Sequence, residues 1–295
     1  MNTAPPRNPV VLRNAELQCE IATLGAELRS LRDARSGEEF IWQRDPAFWV
    51  GSAPILFPVI GRMKDGGYTL DGRFYEIPKH GFARDLEFTV VASSETSATL
   101  QLADSAKTRA AYPFAYLLQV TFALRQRTLH VDYRLTNRND RVMPFALGSH
   151  PAFALPPALG AIEDWSIVFD AVEEPVCHRV AENLLSSKAE AFSYAANNAI
   201  ELSNEIFERD ALIFKNIRSR RLQIVHREHG VRVDFDTGGA PVLGIWAKPG
   251  APYVCLEPWC GYDDTSEINS DIFEKPGMLR LAAGKEFATG YSVTV

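Results

Sequence analysis

Four polar residues stand at the ends of strongly apolar segments, where they could bring reactive groups together. The segments are PILFPVIGR ending at Arg62, PKHGF around His80, ALGSHPAF around His150 and VCLEPWCGY around Glu257. If these segment ends line one face of the fold, two imidazoles, a carboxylate and a guanidinium would meet there. An acid and a base on either side of a polyol are what proton-transfer chemistry requires.

His150 and Glu257 carry most of this argument, because each is a titratable group inside an uncharged or apolar stretch. Burial lowers the pKa of a histidine, and a glutamate is rarely buried without a partner. A proline follows each residue and biases its backbone towards an extended conformation. Trp259 lies close to Glu257, and aromatic rings beside a carboxylate commonly line carbohydrate sites. From spacing alone, a structural histidine and a surface glutamate at a strand end remain equally open.

Arg62 and His80 have plain structural explanations as well as functional ones. An arginine at the end of a buried strand can point into solvent, and a histidine next to a glycine can be a solvated loop residue. In the functional interpretation, Arg62 lies at the rim of a pocket and donates its planar fork to ligand oxygens. Spacing alone leaves both interpretations open.

The composition excludes several classes of function. Hydrophobic residues make up 46% and charged residues 23%, which is ordinary for a globular chain. A net charge of −6 and a pI near 5.6 argue against general nucleic-acid or membrane-surface binding. The four cysteines form no CxxC pair, and phosphate-loop, dinucleotide, zincin and hydrolase-elbow motifs are absent. We therefore expect a cytoplasmic protein, monomeric or homodimeric, with no nucleic-acid or membrane partner.

Period-two alternation of apolar and polar residues is the dominant pattern. It predicts a long hairpin over residues 118–124 and 129–135 with one buried side. The Asp-Gly pair at 71–72 predicts a type I′ turn in a second hairpin. Only Asp104–Ala111 and Glu205–Arg209 favour short helices. No linker or repeat divides the chain, and the polar stretch Glu182–Asn198 is predicted to be a long surface excursion.

These elements predict an all-β fold, a single large antiparallel β-sandwich with few short helices. The sandwich is expected to be one domain spanning residues 1–295.

Three blocks of the sequence match a known family in order and spacing. They are FPVIGRMKDGGYTLDGRFYEIPKHGFARD from Phe57 to Asp85, GSHPAF around His150, and CLEPWCGYDD from Cys255 to Asp264. The blocks resemble the aldose 1-epimerases (mutarotases), and in particular the LacX-type branch of the galactose mutarotase-like superfamily. The likeness spans roughly residues 10–294. It implies a β-sandwich of the galactose mutarotase-like supersandwich type, with a sugar pocket on the concave face of one sheet.

The resemblance also implies roles for individual residues. Glu257 resembles the base that takes the proton from the anomeric hydroxyl, and His150 the acid that protonates the ring oxygen. The ring then opens, the C1–C2 bond rotates, and the ring closes on its other face. His80 resembles a second active-site histidine, Arg62 an arginine that holds sugar hydroxyls, and Asp210 an aspartate that contacts the sugar. No cofactor or metal is implied, because mutarotation already runs slowly in water.

The substrate is less well defined than the reaction. Many aldose epimerases carry Asn-His-Thr around the acid, whereas this chain has Ser-His-Pro at 149–151. Arg62, Lys64, Lys79 and Arg84 could bind the phosphate of a hexose 6-phosphate, or could form structural salt bridges. We expect an isomerase of free aldohexoses of the glucose or galactose type, with Trp259 and Arg84 among the sugar contacts. The alternatives are a hexose-6-phosphate 1-epimerase and a non-catalytic carbohydrate-binding or regulatory sandwich.

Overall fold

Strands account for almost all of the regular structure. The computed structural model describes residues 9–268 and 270–295; residues 1–8 and 269 of the predicted domain lie outside the described residues. The strands of the first half are β1 (Val10–Arg13), β2 (Leu17–Ile21), β3 (Leu28–Asp33), β4 (Ile55–Leu56), β5 (Gly67–Leu70), β6 (Arg73–Glu76), β7 (Thr89–Ser93), β8 (Ser97–Ala103), β9 (Tyr116–Arg125), β10 (Thr128–Asn137), β11 (Met143–Phe145), β12 (Leu147–Ser149) and β13 (Ala152–Ala154).

The second half continues in the same way, with short connections between strands. Its strands are β14 (Trp165–Phe169), β15 (Val176–Ala181), β16 (Leu184–Leu185), β17 (Glu190–Ala191), β18 (Ala199–Glu201), β19 (Leu212–Lys215), β20 (Arg221–His226), β21 (Gly230–Asp236), β22 (Val242–Trp246), β23 (Tyr253–Cys260), β24 (Leu279–Leu281) and β25 (Glu286–Thr294). The helical elements are α1 (Ala106–Ala111) and 3₁₀ turns at Lys64–Gly66, Ala83–Asp85, Pro157–Leu159, Ile162–Asp164, Ala196–Asn198, Glu205–Phe207 and Ile272–Glu274.

Two large sheets contain most of these strands, and the strand pairs within them are antiparallel. Sheet I has the order β18-β14-β20-β21-β25-β10-β9-β8-β7. Sheet II has the order β16-β15-β19-β22-β23-β12-β4, with β13 paired to β23 and β17 paired to β15. Three smaller sheets, β1-β2-β3, β5-β6 and β11-β24, complete the fold.

The two sheets pack face to face around a shared core. The Tyr133 hydroxyl of β10 lies 2.7 Å from the Ser149 hydroxyl of β12, and the rings of Phe153 and Phe235 are 5.7 Å apart across the sheets. One cluster of buried side chains includes members from Leu12 to Val293. The predicted all-β sandwich is confirmed, and this continuous core supports our proposal of a single domain. No helix in the described part of the chain is both long and apolar enough to span a bilayer.

The hairpin predictions are confirmed in detail. β9 and β10 pair along their whole length, and Asp71 and Gly72 both adopt positive φ between β5 and β6. The predicted helical stretches appear as α1 and as the 3₁₀ turn at Glu205–Phe207. The stretch 182–198 is a correction, because it is not only a loop: β16 and β17 within it pair with β15 and extend the edge of sheet II.

Candidate active site

The strand β23 presents a row of polar and aromatic side chains on the outer face of sheet II. Its alternation sends Val254 and Leu256 into the sandwich core, whereas Cys255, Glu257 and Trp259 lie on the opposite face. Neighbouring glycines make room for this row. A side chain at position 244 of β22 would approach Trp259 and Glu257 to about 3.0 and 3.2 Å, tighter than most real contacts.

His150 reaches the same face from the end of β12. Ser149 points into the core, so the next residue points outward, and the backbone N–H of His150 donates to the carbonyl of Pro54 at 3.1 Å. Its Nε2 lies 3.3 Å from Oε1 of Glu257. Trp49 packs against the imidazole with ring centroids 4.9 Å apart. The structure therefore brings the two predicted proton-transfer residues into direct proximity.

A cavity of about 240 Å³ opens over this pair. It is smaller than the roughly 300–1,000 Å³ of pockets that hold drug-sized ligands, and it therefore suits a monosaccharide. Six of the seven predicted site residues line it, all except Arg62, and the complete lining is Trp49, Lys79, His80, Arg84, His150, Val180, Asp210, Ala211, Trp246, Glu257, Trp259 and Asp263. Three indole rings and several hydrogen-bonding groups thus surround one small volume.

His80 is held as a neutral imidazole beside the pair. The backbone N–H of Gly61 donates to Nδ1 of His80 at 3.0 Å, so Nε2 is the nitrogen that carries the hydrogen. The backbone N–H of His80 in turn donates to the carbonyl of Gly61 at 2.7 Å. Burial, with lesser contributions from His150, Lys79 and Arg84, lowers the pKa of His80 well below its ordinary value. This residue can donate a hydrogen bond into the cavity without carrying charge.

Burial acts in opposite directions on His150 and Glu257. It lowers the pKa of His150 to about 3, with the cations Lys79 and Arg84 adding to the effect. It raises the pKa of Glu257 well above the ordinary value, and the Lys79 ammonium only partly opposes that change. Both shifts disfavour charge in a closed environment. The pair therefore holds a single proton over a wide pH range.

The other predicted residues divide into those on the cavity wall and one that is not. Trp259 and Arg84 line the cavity, and Arg84 also donates from Nη2 to the carbonyl of Lys79 at 2.9 Å. Asp210 lines it from an exposed position with φ of 64°. Arg62 is a correction, because its side chain is exposed and does not line the cavity. The chain turns at Gly61, which has φ of 64°, and a different residue occupies the side of this turn that faces the cavity.

That residue is Asp263, which sequence reasoning missed. Its side chain is 4% exposed, lines the cavity and leaves Oδ1 without a hydrogen-bond partner in the described structure. It lies directly over Gly61, where an added Cβ would fall 1.7 Å from the carboxylate. The signal in the sequence was the Asp-Asp pair at 263–264, which follows ten residues whose only charge is Glu257.

Cys255 completes a group of possible metal ligands with His150 and Glu257. The donor atoms of the three lie within 4.8 Å of one another. However, Cys255 is fully buried behind the cavity wall, and burial raises the pKa of its thiol well above the ordinary value. A metal ligand must be a thiolate that the ion can reach. The donor set therefore fits proton transfer by the His–Glu pair better than metal binding.

A larger groove of about 680 Å³ lies on the outer face of sheet I. Polar side chains such as His130, Asp132 and Arg134 line it, and neither His150 nor Glu257 is near it. Its polar residues point to solvent along an ordinary alternating sheet face. The smaller cavity is the better candidate site, because a buried imidazole and buried carboxyl groups with displaced pKa values, those of His150, Glu257 and Asp263, converge there.

Comparison with known proteins now places this geometry in a family. The chain matches the family described as Aldose 1-epimerase over residues 9–294. The chain belongs to the aldose 1-epimerase family. Among curated relatives, the chromosomal protein LacX of Lactococcus lactis is 30% identical, with 97% of this chain and 99% of LacX aligned. The predicted likeness to the LacX-type branch is confirmed.

Solved structures of family members show the same architecture. A galactose mutarotase related enzyme from Lactobacillus acidophilus matches with a TM-score of 0.92 and 33% identity, covering 97% of this chain and 96% of that one. A galactose mutarotase-like protein from Lactobacillus casei matches with a TM-score of 0.91 and 30% identity, covering 97% and 99%. The galactose mutarotase-like form of the aldose 1-epimerase sandwich is thereby confirmed for this chain.

Proposed function

We propose that this aldose 1-epimerase family member interconverts the α and β anomers of free hexoses, with Glu257 and His150 as the proton-transfer pair. The observation that carries the proposal is the 3.3 Å separation of Glu257 Oε1 and His150 Nε2 at a small cavity walled by indole rings. Such a pair can act on both oxygens attached to an anomeric carbon, because one group can remove the proton of the hydroxyl while the other protonates the ring oxygen.

The reaction follows from moving that one proton. The Glu257 carboxylate takes the proton of the anomeric hydroxyl, the C1–O bond to the ring oxygen breaks, and a C1 carbonyl forms. The ring oxygen takes a proton from the His150 imidazolium. After rotation about C1–C2, the reverse transfers close the ring on its other face. Glu257 and His150 recover their starting protons, so the cycle needs no external reagent.

The pair can enter this cycle without changing its net charge. Burial favours a protonated Glu257 and a neutral His150. Transfer of the proton across the 3.3 Å contact gives the carboxylate and imidazolium that the reaction uses. Hydroxyl groups of a bound sugar, together with Lys79 beside Glu257, favour the charged form by hydrogen bonding and Coulomb attraction.

Polarimetry on freshly dissolved α-glucose and α-galactose tests the proposal. The wild-type protein is expected to accelerate the approach to anomeric equilibrium in proportion to its concentration. A rate no faster than that of buffer with either sugar would contradict it, whereas sugar binding without acceleration would support a non-catalytic carbohydrate-binding sandwich.

The pH dependence of kcat should be unusually flat on the acid side. Activity requires one proton on the pair, and as the pH falls it is lost only when His150 takes up a second proton. Because burial lowers the pKa of His150 to about 3, kcat should not fall as the pH passes through about 6.5, the ordinary histidine value. As the pH rises, loss of the last proton is delayed because the pKa of Glu257 is raised. A fall in kcat centred near 6.5, measured at saturating sugar, would contradict this assignment.

A hexose 6-phosphate is the second candidate substrate, because Lys79 and Arg84 lie on the cavity wall. Lys64, also considered from the sequence, does not line the cavity and donates from Nζ to the carbonyl of Ile268. This candidate predicts a large preference for glucose 6-phosphate over glucose that is lost in Arg84→Gln. Equal rates on the two sugars would exclude it. We place free hexoses first, because the carboxyl groups of Asp210, Glu257 and Asp263 lie on the same cavity wall and disfavour an anionic phosphate there.

A further inference from the structure

Asp263 is a buried carboxyl group that the proposed proton transfers do not use. It is 4% exposed, and its Oδ1 atom has no hydrogen-bond partner in the described structure although the residue lines the cavity. A buried polar atom without a partner normally destabilises the fold. The free oxygen is on a cavity wall, where a ligand can supply the missing partner.

The surrounding structure holds Asp263 firmly in this position. Its carboxylate rests on Gly61, which leaves no space for a side chain there. The next residue, Asp264, is 3% exposed, is paired with the buried Lys275, and accepts the backbone N–H of Lys64 at 2.8 Å. Because its neighbour is anchored in this way, Asp263 is a fixed part of the cavity wall rather than a surface loop residue.

The electrostatic surroundings of Asp263 also suit a ligand with hydroxyl donors. Burial raises the pKa of Asp263 to about 6, while the Lys79 ammonium and backbone N–H groups of Arg62 and Asp263 act in the opposite direction. The charged and titratable groups around it are Lys79, Lys215, Asp210, Glu257 and His80. The carboxyl is therefore ionised near neutral pH, and an ionised carboxylate can only accept hydrogen bonds.

We propose that Asp263 is a specificity-determining residue that accepts hydrogen bonds from non-reacting ring hydroxyls of the sugar. The inference rests on the proposed function for the identity of the ligand as a sugar. It assigns to Asp263 the recognition of sugar hydroxyls that the family resemblance implied for Arg62. A site built around a buried acceptor rejects analogues that lack the matching hydroxyl, because the acceptor is then left unpaired.

Binding of unreactive sugar analogues tests this role separately from catalysis. Anhydroglucitol and anhydrogalactitol are pyranose rings without the anomeric hydroxyl, so they cannot undergo mutarotation. Calorimetry with the full chain should show that Asp263→Asn raises the Kd of the better-bound analogue about tenfold or more, since hydrogen bonds to charged groups are the stronger ones. The control Asp65→Asn changes an exposed aspartate off the cavity wall and should leave Kd within about twofold.

A pH series separates sugar recognition from a merely structural role. In the wild type, the Kd of the analogue should rise as the pH falls through about 6, because Asp263 becomes protonated. In Asp263→Asn this rise should be absent while the thermal unfolding temperature stays at or above the wild-type value. Equal Kd values for the wild type and Asp263→Asn, or wild-type protein that binds neither analogue, would overturn the proposal.

The two proposals fail in different ways. Binding of an analogue that depends on Asp263, together with mutarotation no faster than in buffer, would overturn the proposed function and keep the present inference. Acceleration of mutarotation with the same KM in the wild type and Asp263→Asn would overturn the present inference and keep the proposed function.

Discussion

Replacing Glu257 by glutamine is expected to lower kcat for mutarotation by about 10²–10⁴-fold, the usual range for a positioned proton-transfer group. The amide has nearly the same shape but cannot take up the proton of the anomeric hydroxyl. The carboxyl is 2% exposed and its pKa is raised well above the ordinary value, so the neutral amide suits the environment and the variant should fold. Polarimetry with fresh α-glucose or α-galactose measures the loss.

Glu76→Gln is the matched control for this variant. Glu76 also lies on a strand, β6, but it is exposed and does not line the cavity. Its replacement should change kcat by less than about twofold. A Glu257→Gln protein with wild-type kcat and wild-type thermal stability would show that Glu257 is not the base.

The second large effect is expected from His150→Ala, which removes the proposed acid. We again expect a fall in kcat of about 10²–10⁴-fold, because the imidazole of His150, with Nε2 3.3 Å from Glu257 Oε1, is the group proposed to protonate the ring oxygen. The exposed His229, changed to alanine, serves as the control and should retain full activity.

Free imidazole should restore part of the activity lost in His150→Ala. Trp49 packs on the imidazole ring at 4.9 Å and Trp246 meets it edge-on at 5.8 Å, so the substitution leaves a slot of the right shape. Rescue that increases with imidazole concentration would show that the variant lacks a proton carrier rather than a folded cavity. Activity within a few-fold of wild type without imidazole would contradict the role of His150.

The sequence predicted the sandwich well wherever strands alternate strictly between apolar and polar residues. The β9–β10 hairpin and the Asp71–Gly72 turn are examples, because both are specified by local residue order. The residue pattern of β3 does not indicate a strand, because its leucines at 28 and 31 are spaced as in a helix, and a register shift between Glu20 and Ile21 of β2 accommodates them. Such irregular strands are determined by their partners and not by their own pattern.

The candidate site could be predicted from the sequence only where a single residue differs clearly from the residues around it. His150 and Glu257 could be identified as candidates because each lies in an apolar segment and is followed by a proline. The 3.3 Å distance between their side chains depends on the pairing of β12 with β23, which the local sequence does not specify. Arg62 and Asp263 show the limit more sharply. Which of them faces the cavity depends on the positive φ of Gly61 and on its packing against a residue some 200 positions away.

The most direct test of the central claim is NMR exchange spectroscopy between the α and β anomer signals of glucose and galactose at equilibrium. This measurement reports ring opening itself and needs no coupling enzyme. We predict exchange cross-peaks that grow with the concentration of wild-type protein and are absent with a Glu257→Gln, His150→Ala double variant. Exchange that is no faster with the wild-type protein than with the double variant would contradict the claim that this pair catalyses mutarotation.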